Sequence, residues 1–432
     1  MEKELVQLDV SRPLTKILLI VALILTSVWG VYSFRWYLGN TLAEYFNTQL
    51  NDVEMAKLAV SLAPKDPLTH WRLGQVYQQK LPLDQQQLVI SEFQTAVNLS
   101  PNDYRLWTAL GTAYEQIGDS VQAEKALRQA VRLAPTYAYP HWYLGNLLLR
   151  SGRYDQAFEE LRFASNADPE LRPQLFNIAY QIHGSDLQLM KRTIGDSDAI
   201  QADFALFLFG LKRYDDGLTI WNGLNEQQKR EHRLQGNKIV TSLIDAKEFH
   251  KAADVWNGLS PGSSSQTIKG QLLDGSFEDA VAHSSEMIFG WQISATPQMQ
   301  IAIDSNRSHL GSRSLRLTFR ARNNLESINV FQLVPVDSSS QYDFECYVKT
   351  EKLQTGNAPV VQIVDATDGA ILATSEESPT GDTDWTRVAF TFKTREKTEA
   401  ITVRFSRQSC GENECPIFGS VWYDDFSIKR HD

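Results

Sequence analysis

The sequence predicts a multidomain protein in which an N-terminal transmembrane helix precedes an all-α solenoid and then an all-β jelly-roll sandwich. Three observations support this order. An uncharged apolar run opens the chain, a proline-terminated helical phrase recurs through its first half, and apolar residues alternate with period two after residue 271. A chain of 432 residues is also too long for a single hydrophobic core, so several domains are expected.

The apolar run contains eighteen uncharged residues between Lys16 and Arg35. As a helix it would span about 27 Å, the thickness of one hydrocarbon core. We therefore assign 1–16 to a cytoplasmic tail and 17–36 to a transmembrane anchor. Basic residues precede the span, so the positive-inside rule predicts a single-pass protein whose bulk is periplasmic or otherwise extracytoplasmic. A cleaved signal peptide is the alternative, but bulky aromatic residues occupy the place of its small-residue cleavage site.

Charge and motif content argue against several classes of function. The net charge of −10 and the absence of a run of Lys and Arg exclude a basic surface for nucleic acid. No phosphate-binding or dinucleotide motif, nucleophile elbow or H-E-x-x-H zinc motif occurs, and the eight histidines are scattered singly. We therefore predict no catalytic residue, no required cofactor and no enzymatic activity, with a glycan-active enzyme as a remote alternative.

Internal repeats determine the prediction for the first half of the chain. A proline recurs at spacings of 37, 34 and 34 residues, ending the phrases AVSLAP, AVNLSP, AVRLAP and ASNADP at Pro64, Pro101, Pro135 and Pro169. Small residues such as Gly111 and Ala123 would let the two helices of a hairpin approach closely, while Trp107 and Tyr114 fill the space between them. The pattern predicts a stack of helical hairpins.

This pattern resembles the tetratricopeptide (TPR) repeat, which implies a solenoid that recruits a protein partner. We place TPR repeats at 47–169 and degenerate TPR-like hairpins at 170–260, where two Trp-Asn-Gly-Leu phrases lie 35 residues apart. In the TPR family the first helix of each unit lines a groove. Counting the family's groove positions predicts a partner-binding groove formed by Trp71, Gln75, Arg105, Thr108, Tyr139, Trp142, Asn146 and Arg150. Packing of the tryptophans between neighbouring helices is the alternative.

A Ser- and Gly-rich linker at 261–271 precedes an all-β region at 272–432. Its alternating segments are separated by Gly, Asn, Asp and Ser, which predicts a sandwich or jelly roll. The phrases LDGSFE, GSRSLRL, WTRVAF and WYDDFSI are similar to those of galactose-binding-like carbohydrate-binding modules. This resemblance implies a glycan-binding face or cleft, for which Trp291, Gln332 and Tyr347 are the candidates. Trp385 and Trp422 lie in phrases typical of the family's core.

The same resemblance implies a structural calcium ion, and the cysteines suggest an oxidising compartment. Many related modules hold calcium between an acidic residue of the first strand and an aspartate of the last, and Glu278 and Asp425 stand at those places. Solvated carboxylates are the alternative. Cys410 and Cys415 lie close enough in sequence to close a small disulfide loop, whereas Cys346 alternates with apolar residues and reads as a core thiol.

These predictions combine into a non-enzymatic, membrane-anchored scaffold of the cell envelope. Its TPR groove would recruit a protein partner and its sandwich would bind a polysaccharide. A role in exopolysaccharide or surface-glycan assembly follows by analogy with chains of this appearance. The alternative is a purely structural protein-interaction protein whose sandwich binds no sugar.

Overall fold

A computed structural model describes residues 13–45, 52–80, 82, 85–259, 266–279, 287–294, 297, 299–321, 327–408 and 415–431. The predicted fold class is confirmed, because helices occupy the first part of the chain and two antiparallel sheets the last. The chain forms two compact units, Met1–Gly195 and Asp196–Asp432. The division therefore lies among the helices and not at the Ser-rich segment, because the last helices form one unit with the sandwich.

The first unit consists of paired helices. They are α1 (Pro13–Tyr45), α2 (Val53–Leu62), α3 (Pro67–Lys80), α4 (Gln86–Leu99), α5 (Tyr104–Gln116), α6 (Ser120–Leu133), α7 (Ala138–Arg150), α8 (Tyr154–Ala167), α9 (Arg172–His183) and α10 (Leu187–Ile194), with a 3-10 turn at Pro169–Leu171. Aspartates cap several of these helices; the Asp103 side chain, for example, accepts a hydrogen bond from the backbone N–H of Arg105. Helix α1 is long and apolar enough to cross a membrane, a test that a signal sequence would also pass.

Glycine allows the two helices of a repeat to approach closely. A Cβ atom on Gly111 would lie 2.6 Å from Cγ of Leu127, and one on Gly145 would lie 2.7 Å from Cγ of Leu161. Both leucines are fully buried. The hairpins α5–α6 and α7–α8 are thus closed by the same contact, as the repeat pattern predicts.

A polar bridge at the start of the first helix also recurs between repeats. Nδ1 of His70 lies 2.6 Å from a carboxylate oxygen of Glu92, and its Nε2 lies 3.0 Å from the carbonyl oxygen of Pro64. His141 makes the two equivalent contacts in the α7–α8 repeat. In the α5–α6 repeat, Trp107 Nε1 donates to the corresponding proline carbonyl at 2.8 Å. The hydrogen bond with Glu92 raises the pKa of His70.

The second unit opens with α11 (Asp198–Gly210), α12 (Tyr214–Asn222), α13 (Glu226–Glu231), α14 (Arg233–Asp245) and α15 (Phe249–Leu259). Trp221 and Trp256, which begin the two Trp-Asn-Gly-Leu phrases, are both buried. Helix α15 also contacts the sandwich, because His250 Nε2 lies 2.9 Å from the carbonyl oxygen of Val336 and the Trp256 and Phe289 rings are 6.0 Å apart. These contacts explain why the last helices and the sandwich form one unit.

The sandwich contains β1 (Gln292–Ile293), β2 (Met299–Asp304), β3 (Ser314–Ala321), β4 (Ser327–Pro335), β5 (Gln341–Thr355), β6 (Val360–Asp365), β7 (Ile371–Thr374), β8 (Gly381–Lys393), β9 (Ala400–Ser406) and β10 (Ile417–Arg430). The first sheet has the order β1-β4-β9-β6-β7 and the second sheet the order β2-β3-β10-β5-β8. Their inner faces enclose one core that includes Phe277, Trp291, Phe344 and Tyr423.

Candidate glycan and partner sites

The outer face of the second sheet follows from strict alternation along β5. Tyr342, Phe344 and Cys346 are buried between the sheets, so the residues between them project outwards. Tyr347, which follows Cys346, projects outwards in the same alternation, as the sequence predicts. It stands directly opposite Arg387 on β8.

A polar surface cleft of about 720 Å³ lies at one end of this face. Two ion pairs cross it: Lys349 Nζ is 2.6 Å from Asp384 Oδ1, and Arg307 pairs with Glu351. The half-buried ring of Trp385 supplies an apolar wall. The hydrogen bond from Lys349 lowers the pKa of Asp384, so this carboxylate is ionised at neutral pH. The cleft therefore combines charged hydrogen-bonding groups with an aromatic surface.

The Tyr347 ring is partly covered by its neighbours. His309 stacks on it with ring centroids 3.7 Å apart and an interplanar angle of 13°, and the same imidazole meets Trp385 edge-on at 5.8 Å. Below this cluster the Asp424 side chain is fully buried and accepts a hydrogen bond from the His309 backbone N–H at 2.7 Å. Burial raises the pKa of Asp424 to about 6.

Two predicted glycan candidates lie in the core instead of on this face. Trp291 is 1% exposed, and its Nε1 donates to the carbonyl oxygen of Asp274 at 3.1 Å. Gln332 is 0% exposed; its Oε1 accepts from the backbone N–H of Leu273 at 3.1 Å, and its Nε2 donates to the carbonyl oxygen of the same residue at 2.8 Å. Neither side chain presents a surface to a ligand, because both hold the segment that enters the sandwich.

Trp385 is the aromatic residue that sequence reasoning missed. The family phrase placed it in the core, whereas the structure places it in the wall of the cleft. Phe390 and Phe392 pack towards the core at the end of β8, but the pairing of β8 with β5 is irregular between Thr383 and Thr386, so alternation along the strand does not place Trp385. Trp422 is buried as expected, with Nε1 donating to Asp304 Oδ2 at 2.9 Å.

The two residues predicted to hold calcium both contact donor groups of the protein, and the calcium site stays a prediction. Glu278 accepts hydrogen bonds from the backbone N–H groups of Ser312 and Arg313 at 2.6 and 2.9 Å and from the Ser312 hydroxyl at 2.6 Å. Asp425 Oδ2 lies 2.6 Å from Nδ1 of His309. Calcium needs six or more oxygen ligands. Within the described ranges, no group of three or more His, Cys, Asp or Glu side chains is placed to hold a metal ion.

The structure describes two of the three cysteines. Cys346 is a free, buried thiol whose pKa is raised by burial, as expected for a core residue. Cys415 is buried, and its Sγ accepts a contact from Arg407 Nη2 at 2.9 Å. Cys410 lies outside the described residues, so its disulfide with Cys415 stays a prediction.

Two of the predicted groove residues come together in the first unit. Trp71 on α3 and Arg105 on α5 line a cavity of about 240 Å³, together with Glu44 of α1. Trp71 is half-buried, packs against the α4–α5 core, and has a buried Nε1 without a hydrogen-bond partner in the described part of the chain. Arg105 Nη2 bonds Asp103 at 2.6 Å. The cavity therefore combines part of the Trp71 side chain with the three charged groups of Glu44, Asp103 and Arg105.

The other groove candidates are spread over the three helices α3, α5 and α7. Trp142 is half-buried against Ala138, Ala164 and Leu171, which is the packing alternative that the sequence left open. Tyr139 is 54% exposed. Asn146 and Thr108 donate hydrogen bonds to backbone carbonyl oxygens of their own helices, at Trp142 and Tyr104. Arg150 forms an ion pair with Glu115, and the Gln75 side chain accepts a hydrogen bond from Arg72.

Comparison with known proteins identifies both parts of the chain. A family model described as a carbohydrate binding domain matches residues 269–411, and one described as a tetratricopeptide repeat matches residues 92–125. The predicted combination of TPR repeats with a carbohydrate-binding-module-type domain is therefore confirmed.

Each similar protein matches only part of the chain. Superkiller protein 3 of Schizosaccharomyces pombe is 36% identical over 72 residues, which are 17% of this chain and only 5% of that protein. Among solved structures, Pseudomonas aeruginosa PilF is 14% identical, with 54% of this chain and 95% of that chain covered at a TM-score of 0.31. The CBM22-1 xylan-binding domain from Paenibacillus barcinonensis is 15% identical, with 38% and 96% covered at a TM-score of 0.25.

Proposed function

We propose that this chain, which joins TPR repeats to a carbohydrate-binding domain, is a non-catalytic, membrane-anchored scaffold of the cell envelope. The sandwich binds a polysaccharide in the cleft beside Trp385, and the TPR groove recruits a protein partner. The proposal depends chiefly on that cleft, because it lies within the region matched as a carbohydrate binding domain. Assembly of an exopolysaccharide or surface glycan is the setting in which both activities would be used together.

The cleft has the chemistry that a sugar requires. A pyranose ring presents hydroxyl groups, which need donors and acceptors, and an apolar ring face, which packs on an aromatic side chain. Lys349, Asp384, Arg307 and Glu351 supply the polar groups and Trp385 the aromatic surface. A second depression of about 420 Å³ on the same outer face is lined by groups that include Arg387 and Glu345, which would let a chain of several sugars extend along the sheet.

Affinity electrophoresis of the full chain in gels containing xylan, β-glucan or galactan tests the glycan site. We expect Trp385→Ala to weaken retardation about tenfold, since loss of one aromatic contact of about 1.4 kcal/mol has that effect. Phe418→Ala removes an exposed aromatic side chain of β10 outside the cleft and should leave retardation unchanged. If the Trp385 variant and the wild type were retarded equally, the result would favour the alternative in which the sandwich binds no sugar in this cleft.

The groove is tested by charge reversal at the cavity between α3 and α5. Arg105→Glu places a third carboxylate beside Asp103 and Glu44, so a partner that docks there should be lost from crosslinked envelope extracts. Arg128→Glu is the matched control, because Arg128 is an exposed residue of α6 outside the cavity. A partner captured equally by both variants would not use this groove.

Anchoring by α1 is supported by its exposed apolar surface. Trp29 is 71% exposed, and the 18 residues 17–34 carry no charge. Such a surface is stable only in a lipid or protein environment. The full chain should float with vesicles in a density gradient and resist extraction at high pH. A protease should digest the body of the protein only from the extracytoplasmic side.

A further inference from the structure

The apolar run and the first helix of the first hairpin form one uninterrupted helix. Helix α1 continues from Pro13 to Tyr45; its uncharged run ends at Phe34, and the exposed residues Trp36, Tyr37 and Leu38 precede Gly39, which is buried. One face of the last part of the helix packs on the repeats: Arg35 Nη2 donates to the carbonyl oxygen of Ser61 at 3.2 Å, and Ala43 is only 3% exposed. No flexible linker separates the proposed anchor from the first unit, so the direction of one sets the direction of the other.

The contacts of α1 also show which end of α2 lies beside the apolar part. A Cβ atom on Gly39 would lie 2.8 Å from Cβ of Ala63 and 2.9 Å from the carbonyl oxygen of Ala59. Asn40 Nδ2 donates to Asp66 in the following turn at 2.9 Å. The C-terminal end of α2 and the α2–α3 turn therefore lie level with the residues of α1 just beyond the uncharged run. The helical rise puts Gly39 about 7 Å past Phe34, within the depth of a headgroup layer.

We propose that the edge of the first unit formed by the turns at 63–66, 100–103 and 134–137 faces the lipid headgroups. The proposal rests on the proposed membrane anchor. Successive helices are antiparallel, so every turn from the second helix of a repeat to the next repeat lies on this edge. The turns at 117–119 and 151–153 lie on the opposite edge, about 20 Å away because the helices between them have 13 or 14 residues.

The side chains of this edge suit a membrane interface. Pro64 and Lys65 are exposed in the first turn. Tyr137 is 56% exposed, and its ring lies 5.1 Å from that of Tyr104 in the neighbouring repeat. Tyrosine and lysine are both favoured at headgroup depth, where their apolar stems and polar tips are each solvated. The partner groove, whose cavity is lined by residues at this end of α3 and α5, would then open close to the bilayer.

Depth measurements on the full chain in phosphatidylcholine vesicles test this orientation. A fluorophore is attached at Lys65→Cys or Asn102→Cys on the near edge, or at Gln116→Cys at the far end of α5, and quenched by a headgroup-linked nitroxide. We expect severalfold stronger quenching at the two near positions. Equal quenching at all three positions in protein that floats with the vesicles overturns the orientation alone. Failure to float overturns the anchor and this proposal together.

A second pair of variants tests the rigid connection. Gly39→Leu cannot be seated, because the added side chain would overlap Ala59 and Ala63. The variant should still float but lose the difference in quenching between Lys65→Cys and Gln116→Cys. Gly30→Leu is the control, since nothing lies within 4 Å of a Cβ atom there, and should keep the difference. Retention of the full difference by the Gly39 variant would show that α1 does not orient the unit.

Discussion

Replacement of Gln332 should destabilise the sandwich without acting through a ligand. Gln332→Leu keeps the volume of the side chain but removes both hydrogen bonds to Leu273. An unpaired buried backbone group costs about 1–3 kcal/mol. Because Leu273 is only half-buried, water compensates part of this loss and we expect about 2–4 kcal/mol for the two groups together.

This loss is large enough to measure by calorimetry on the full chain. The second unit has the size at which 1 kcal/mol shifts the melting temperature by about 2–4 °C, so its transition should fall by roughly 4–16 °C. Hydrogen exchange should accelerate in the peptide that contains Leu273, because its N–H loses its acceptor. The control is Gln300→Leu on β2, an exposed position where the change should stay within about 0.5 kcal/mol.

Gln332→Glu separates the two hydrogen bonds. A carboxylate still accepts from the Leu273 N–H, but it cannot donate to the carbonyl oxygen and it buries a charge beside that oxygen. We therefore expect this variant to be less stable at pH 8 than at pH 5. The reasoning would be refuted if Gln332→Leu melted with the wild type while polysaccharide binding was lost, because that result is the signature of a ligand contact.

Three further predictions concern packing, pH and metal. Gly145→Ala should cost about 1–3 kcal/mol by overpacking against Leu161, measured by denaturant unfolding, whereas Gly210→Ala should not destabilise because its Cβ would meet open space. Burial raises the pKa of Asp424 from 3.8 to about 6, so the contribution of its protonated carboxyl group to the stability of the fold is complete below pH 3.8 and is lost as the pH rises through 6. Asp424→Asn cannot ionise, so the melting temperature of this variant should not show that decrease with pH. EDTA should leave the melting temperature unchanged, because Glu278 already accepts hydrogen bonds from protein donors; a clear drop would support the predicted calcium ion.

Much of the architecture could be predicted because it follows from the local periodicity of apolar, small and proline residues in the sequence. The proline spacing and the small residue at Gly111 predict closely packed helical hairpins, and the tetratricopeptide repeat family model that matches residues 92–125 agrees with this prediction. The change to period two after residue 271 predicts strands, and the two observed sheets follow it. Each of these signals is carried by residues near one another in sequence, so it survives without knowledge of the tertiary structure.

The candidate sites were predicted less well because exposure is a tertiary property. Trp291, Trp385 and Trp422 all lie in the region that resembles one family, yet of the three only Trp385 lines the cleft. Gln332 has the polar side chain expected of a ligand contact, but Leu273, 59 residues away, takes up both ends of its amide. A motif specifies a strand and its neighbours in sequence, whereas the partner of each side chain depends on which distant segment the fold brings against it.

The sequence by itself determined the order of parts: an apolar helix, TPR hairpins, and a sandwich matched as a carbohydrate binding domain. Only the tertiary structure decided where these parts are joined. It made the last helices one unit with the sandwich through contacts such as His250 to Val336, and it continued the apolar helix into the first hairpin through Gly39. The physical reason is that periodicity reports which face of an element is buried, while contacts between elements distant in sequence depend on the complementary shapes and hydrogen-bonding groups that folding brings together.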